Sequence, residues 1–201
     1  MKETINFLLA GVGGQGTILA SDVLVNLGLA AGFDAKQAEV HGMSQRGGSV
    51  TSHVRWGEQV FSPLIGAGEV DVFVAFEKAE ALRSVNLLRR NALTLVNMEA
   101  IEPVTVTSGG QTYPGDEHLR ATLAQVTERA VYLPAGEIAQ SLGNVKAANV
   151  VLLGALSTML EPQTGLGADA WLEVILARVP AKYAELNRQA FLKGREAAAA
   201  G

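Results

Sequence analysis

With 201 residues, 48% of them hydrophobic, and a formal charge of −4, the chain is long enough to bury a full core without staples. Its Lys and Arg residues are scattered rather than gathered into the basic face that nucleic acid or an anionic membrane requires. It has no cysteine, which removes disulfides, Cys-ligated zinc and thiolate-held iron–sulfur clusters.

Met1-Lys2-Glu3-Thr4 shows no signal-peptide pattern, and no uninterrupted apolar stretch reaches the ~18 residues of a membrane span; a cytoplasmic protein with no membrane partner is expected. Ile5 to Ala10 reads as a buried strand, Gly11 to Gly16 as a turn, and Thr17 to Ala31 as a helix ending near Gly32. Asp34 to Val40 alternates loosely enough for a second strand. Ser49 to Trp56 alternates strongly, and Gly57-Glu58 reads as a hairpin turn into Gln59 to Phe61. Asp71 to Phe76 is a further strand, Lys78 to Arg89 a helix, and Leu93 to Val96 a short strand ended by Asn97. Val104 to Thr107 reads as an edge strand between Pro103 and Gly109-Gly110.

Ala130 to Leu133 is a strand stopped by Pro134, and Ile138 to Leu142 makes one or two helical turns. Asn144 to Leu160 reads as a buried helix and Pro162 to Gly167 as a loop. Two helices follow, Ala170 to Val179 and Ala181 to about Ala197, with a frayed end. Strands alternating with helices predict an α/β fold: a Rossmann-like, mostly parallel but mixed sheet with flanking helices. One domain over residues 1–201 is expected, with a C-terminal helical extension from about residue 168.

Gly11-Val12-Gly13-Gly14-Gln15-Gly16 matches G-x-G-x-x-G between a strand and a helix. Glycines there permit a tight turn and close backbone approach, and the helix start offers N–H groups to an anion. Two readings stay open: an anion or nucleotide site, or glycines that only let the helix pack on the sheet. Asp34 and Glu39 lie at about the ~20-residue separation of a ribose-binding acid, but their surroundings are too polar for a buried strand end.

His41-Gly42-Met43-Ser44-Gln45-Arg46-Gly47-Gly48 is the second glycine segment. Arg46 followed by Gly47 and Gly48 suits an N–H nest with a guanidinium clamp, or a loop set against a partner chain. Gly42 to Arg46 narrowly misses the G-x-S-x-G nucleophile elbow. His41, His53 and His118 lack metal-ligand spacing, so no metal site is expected. Asn97, at a strand end, reaches the same edge; Asn144 reads as a helix cap and Glu77 as a solvated carboxylate. No catalytic residue stands out. The candidate binding residues are Gly13, Gly14, Gln15, Gly16, Arg46, Gly47, Gly48 and Asn97.

Together, Gly13-Gly14-Gln15-Gly16 and Gln45-Arg46-Gly47-Gly48-Ser49-Val50, followed by Val54-Arg55, resemble the γ-type domain of 2-oxoacid:ferredoxin oxidoreductases. The version His41 to Gly48 is most similar to the small (β) subunit of indolepyruvate:ferredoxin oxidoreductase. Asn144 to Ala155 resembles that family's late helix. The resemblance implies a subunit without its own catalytic residues, in an oxidoreductase that decarboxylates an aryl 2-oxoacid. Thiamine diphosphate and iron–sulfur clusters would sit in a large partner subunit, two of each chain being one arrangement, with ferredoxin served through the complex. Of the cofactors only coenzyme A is a candidate for contact with this chain. The alternative reading is a stand-alone Rossmann-type nucleotide-binding protein or dehydrogenase.

Overall fold

The computed structural model describes residues 4–41, 48–102, 104–107, 109–110 and 112–200. Its centre is β1, Ile5–Val12, apolar except for Asn6 and buried from that residue onward. A strand buried on both faces must be apolar throughout, which is why this segment does not alternate. Phe7 and Leu9 point into one core and Leu8 and Ala10 into the other. Helix α1 (Thr17–Ala30) follows, then β2 (Asp34–His41), β3 (Ser49–Gly57) and β4 (Val70–Ala75).

Helix α1 ends where Gly32 takes a φ of 76°. There Phe33 N–H reaches Gly28 O and Gly32 N–H reaches Leu29 O, both at 2.9 Å, the paired bonds of a Schellman motif. Next come α2 (Lys78–Ser84), β5 (Leu88–Asn97), a single helical turn α3 (Val104–Thr107), α4 (Asp116–Ala124) and β6 (Ala130–Leu133). The chain closes with α5 (Ala135–Ser141), α6 (Ala148–Thr164), α7 (Ala168–Leu176) and α8 (Ala184–Ala200).

The sheet order is β2-β3-β1-β4-β5-β6. β1, β4, β5 and β6 run parallel, and β3 is antiparallel to both β1 and β2. The mixed α/β architecture is therefore as expected, but its antiparallel element arises differently. β3 is hydrogen-bonded on both edges, so residues 59–61 find no free edge and form no strand. α1 and α5 to α8 belong to the core on one face of the sheet; α2 and α4 cover the other.

Other expectations are corrected by pairing. The helix beginning at Lys78 stops at Ser84, because Leu88 pairs with Val70 and starts β5 early. Val104 to Thr107 is helical, not an edge strand; four β-prone residues with no strand to join keep a local hydrogen-bonded turn instead. Pro162 lies inside α6, in its last turn, where only one upstream carbonyl loses its donor, and α8 continues to Ala200.

His53, on β3, is 8% exposed, and its Nδ1 accepts the Ile65 N–H at 3.2 Å. Burial holds its pKa below the usual imidazole value. The neutral ring is therefore the folded-state form, and stability is lost as pH falls from 6.5 through the depressed folded pKa. Urea unfolding of the wild type at pH 7.5 and pH 5 should show this loss. A His53→Gln variant, which keeps an acceptor without a titrating ring, should show a flatter profile.

Candidate functional site

The carboxyl ends of β1, β4, β5 and β6 share one edge, and this edge gathers the glycine turn. α1 leaves β1 on one face of the sheet, while α2 follows the adjacent β4 on the opposite face. Such a switch point opens a crevice. Gly14 and Gly16 have φ of 100° and 82°, so the turn needs glycine at both positions. Gly13 N–H donates to Gly48 O at 3.1 Å, which joins the two glycine segments. Arg46 and Gly47 lie outside the described residues.

Gln15 fills the crevice. Its Oε1 accepts Val12 N–H at 2.8 Å, and its Nε2 donates to Phe76 O at 2.9 Å and to Glu99 Oε2 at 3.3 Å. Asn97, 1% exposed, completes the network. Its Nδ2 donates to Phe76 O at 3.0 Å and Glu99 Oε2 at 3.1 Å, and its Oδ1 accepts Ala135 N–H at 3.0 Å. The two amides thus tie together the ends of β1, β4 and β5 and the start of α5. Both are fully engaged within the chain, so what they offer a ligand is the wall they build.

Beyond this wall lies a cleft of about 610 Å³, lined by Met98, Glu99, Pro134, Gly136, Gln140 and Val145 among others. A smaller recess of about 140 Å³ continues to Gly14, Lys146 and Asn149. Asn149 is 8% exposed, and its amide lies over Gly16, where an added Cβ would fall 2.3 Å from Nδ2. Its Oδ1 is engaged by Val150 N–H at 2.9 Å, while Nδ2 has no hydrogen-bond partner among the described residues. The first N–H groups of α1 have no intrahelical acceptor, and Lys146 lines the same recess. Gly14, Lys146 and the Asn149 amide line this recess together with Glu99, whose Oε2 is held by Gln15 and Asn97; an N–H donor and a lysine beside a glycine turn suit a phosphate.

Lys146, Asn149 and Glu99 were not among the sequence candidates. A lone polar residue inside an apolar helix was the available signal for Asn149. Asn144 is a cap, its Oδ1 accepting Lys146 N–H at 3.0 Å. Glu77 is not solvated: it is 1% exposed and caps α2 through Glu80 N–H at 3.1 Å. It also accepts Ile101 N–H at 3.1 Å and the Tyr113 hydroxyl. Burial outweighs these bonds and raises its pKa. Among the described residues, no group of three or more His, Asp or Glu side chains is placed to hold a metal, and no helix is long and apolar enough to cross a membrane.

A dinucleotide site fits poorly. The ribose acid of such a site ends the strand beside β1, but β3 occupies that place. Glu39 sits one strand further out, opposite Ser52, and Asp34 is at the far end of β2, where it accepts Val60 N–H at 2.8 Å. The fold and the edge therefore define a Rossmann-like domain whose glycine turn meets a second glycine segment, with an anion-suited recess in place of a nicotinamide site.

The chain belongs to the pyruvate ferredoxin/flavodoxin oxidoreductase family, whose profile matches residues 6–197. It is 40% identical over 199 residues to the indolepyruvate oxidoreductase subunit IorB of Thermococcus kodakarensis, covering 98% of this chain and 97% of that protein. The corresponding subunit of Archaeoglobus fulgidus is 39% identical over 197 residues, 98% and 96% of the two chains. Among solved structures, the gamma subunit of a keto/oxoacid ferredoxin oxidoreductase from Geobacter sulfurreducens matches with a TM-score of 0.70 at 25% identity, over 98% of this chain and 99% of that one. A 2-oxoglutarate:ferredoxin oxidoreductase from Magnetococcus marinus, solved with 2-oxoglutarate, coenzyme A and succinyl-CoA, shares the fold with a TM-score of 0.71 at 21% identity. There the match covers 100% of this chain and 32% of that one. The resemblance carried by the two glycine motifs is borne out.

Proposed function

We propose that this chain is the small subunit of a thiamine-diphosphate- and iron–sulfur-dependent oxidoreductase acting on an aryl 2-oxoacid, indolepyruvate first, and that its carboxyl edge receives coenzyme A. The named relatives support the substrate class. With no cysteine, this chain offers an iron–sulfur cluster no thiolate, so the clusters belong to a large partner subunit, as does the thiamine diphosphate. Coenzyme A, when bound, supplies the thiol that accepts the acyl group.

One observation carries the coenzyme A assignment: Asn149, 8% exposed, sets over Gly16 an Nδ2 that has no hydrogen-bond partner among the described residues, in a recess shared with Gly14 and Lys146. In this reading Lys146 and Asn149 bind a phosphate, the glycines let it approach the backbone, and the adjoining 610 Å³ cleft shelters the pantetheine arm from water. Gln15 and Asn97 hold that wall in position and keep Glu99 turned into their amides.

The chain is to be co-expressed with its large partner and assayed for indolepyruvate-dependent dye reduction. Lys146→Ala should raise KM for coenzyme A about tenfold, the size of one lost charge-assisted contact, with KM for the 2-oxoacid unchanged. An unaltered KM for coenzyme A removes the assignment of the recess. Failure of the two chains to co-purify, or of the complex to use 2-oxoacids, removes the subunit reading itself.

A further inference from the structure

At the opposite, amino-terminal edge of the sheet, β5 is interrupted. Val70 pairs with Leu88 and Val72 with Leu93, so a single residue of β4, Asp71, is matched by the four residues Arg89 to Ala92. Asn91, within this bulge, takes a φ of 59°, the left-handed conformation that side chains disfavour. It is held there by its N–H bond to Val126 O at 2.9 Å. Bulges re-aim side chains, and a left-handed residue that is not glycine persists only where its surroundings impose it.

This bulge borders a cavity of about 250 Å³ lined by Asp71, Arg89, Arg90, Asn91, Arg129 and Gln163. Arg89 is paired with Asp71 at 2.5 Å. The side chains of Arg90 and Arg129 have no hydrogen-bond or ion-pair partner among the described residues, although the protein as a whole carries a formal charge of −4. Among the described lining residues, three arginines against one aspartate leave two uncompensated positive charges.

We propose that this cavity is a binding site for a phosphate dianion, either inorganic phosphate or the phosphate of a small monoester, separate from the glycine edge. Arg90 and Arg129 both line this concavity; guanidinium groups bind phosphate oxygens in pairs, and two of them balance the charge of a dianion. Arg89 is fixed by Asp71 and keeps the bulge in shape, which leaves Arg90 and Arg129 to make the contact. The volume admits a phosphate with a short carbon skeleton and is too small for a dinucleotide. Because the site lies at the far end of the sheet from the recess of Lys146 and Asn149, its ligand would act on the subunit without competing for that edge.

The test is thermal unfolding and calorimetric titration of the full chain with inorganic phosphate and with glycerol phosphate, each against chloride at matched ionic strength. A saturable rise in Tm with either is expected, and the tighter of the two identifies the source. Arg90→Ala combined with Arg129→Ala should weaken that response at least tenfold while leaving the unliganded Tm unchanged, since both residues are exposed and neither side chain is paired among the described residues. Lys146→Ala should leave the response intact. No rise beyond chloride, an undiminished rise in the double arginine variant, or a rise abolished by Lys146→Ala would each overturn the proposal.

Discussion

Alanine at Gly154 or at Gly194 is expected to destabilise the chain by about 3 kcal/mol each, at the upper end of overpacking costs. The two glycines are where α6 and α8 meet. A Cβ at Gly154 would lie 2.0 Å from Phe191 O, and one at Gly194 would lie 1.9 Å from Val151 O. Both obstacles are backbone oxygens, which cannot rotate aside as a flexible side chain would. The helices must separate, and separation opens the contacts of Val151, Leu152, Ala155, Ala190 and Phe191, all buried. It also stretches the tie from Arg195 to Ser157 Oγ at 2.8 Å and to Glu161 at 2.7 Å.

One separation relieves both clashes, so the double variant should cost clearly less than the sum of the singles, as expected for neighbouring sites. Urea unfolding of the two singles and the double measures this directly. Additive losses, or single losses below about 1 kcal/mol, would show that α8 docks without this close approach. The consequence reaches the site, because α6 carries Asn149 in its first turn, five residues before Gly154.

This packing also shows what the sequence made legible. A buried late helix was readable from its apolar run, but the C-terminal helices looked like an appendage. Gly194 within an alanine-rich segment gave no sign that it faces Gly154's helix, because the partner is 40 residues away in the chain. The parallel strands β1 and β4 declared themselves as short apolar runs, since both faces of each are covered, and the edge strand β6 did so by composition although only Leu133 of its four residues is buried. α4 did not, because only Leu119 and Leu123 of its nine residues are buried. At the site, the glycine turn was readable because positive φ at Gly14 and Gly16 can be met cheaply only by glycine. Gln15 was readable as part of that motif, but its role was not. Its partners Phe76 and Glu99 are 61 and 84 residues away, and no local periodicity encodes such a pairing.

That role leads to the second large effect. Gln15→Glu is nearly isosteric, yet it should cost about 3 kcal/mol at pH 7. The variant keeps an acceptor for Val12 N–H but replaces the donor facing Phe76 O and Glu99 Oε2 with a second carboxylate oxygen. Phe76 O keeps its bond from Asn97 Nδ2 at 3.0 Å, so the main cost is the juxtaposition of two carboxylates in a partly buried crevice.

The sign with pH follows from linkage. Repulsion raises the folded-state pKa of the carboxylate pair above its unfolded value, so the penalty is fullest at neutral pH. It should shrink as pH falls and the pair takes up a proton, which restores a donor between the oxygens. Gln15→Ala, which removes the amide without adding charge, should cost about 2 kcal/mol and show no such recovery. Paired unfolding curves at pH 7.5 and pH 5 separate the two variants. If Gln15→Glu were as costly at pH 5 as at pH 7.5, the stress would be steric rather than electrostatic. Glu99 would then not be the charge that Gln15 holds at the carboxyl edge.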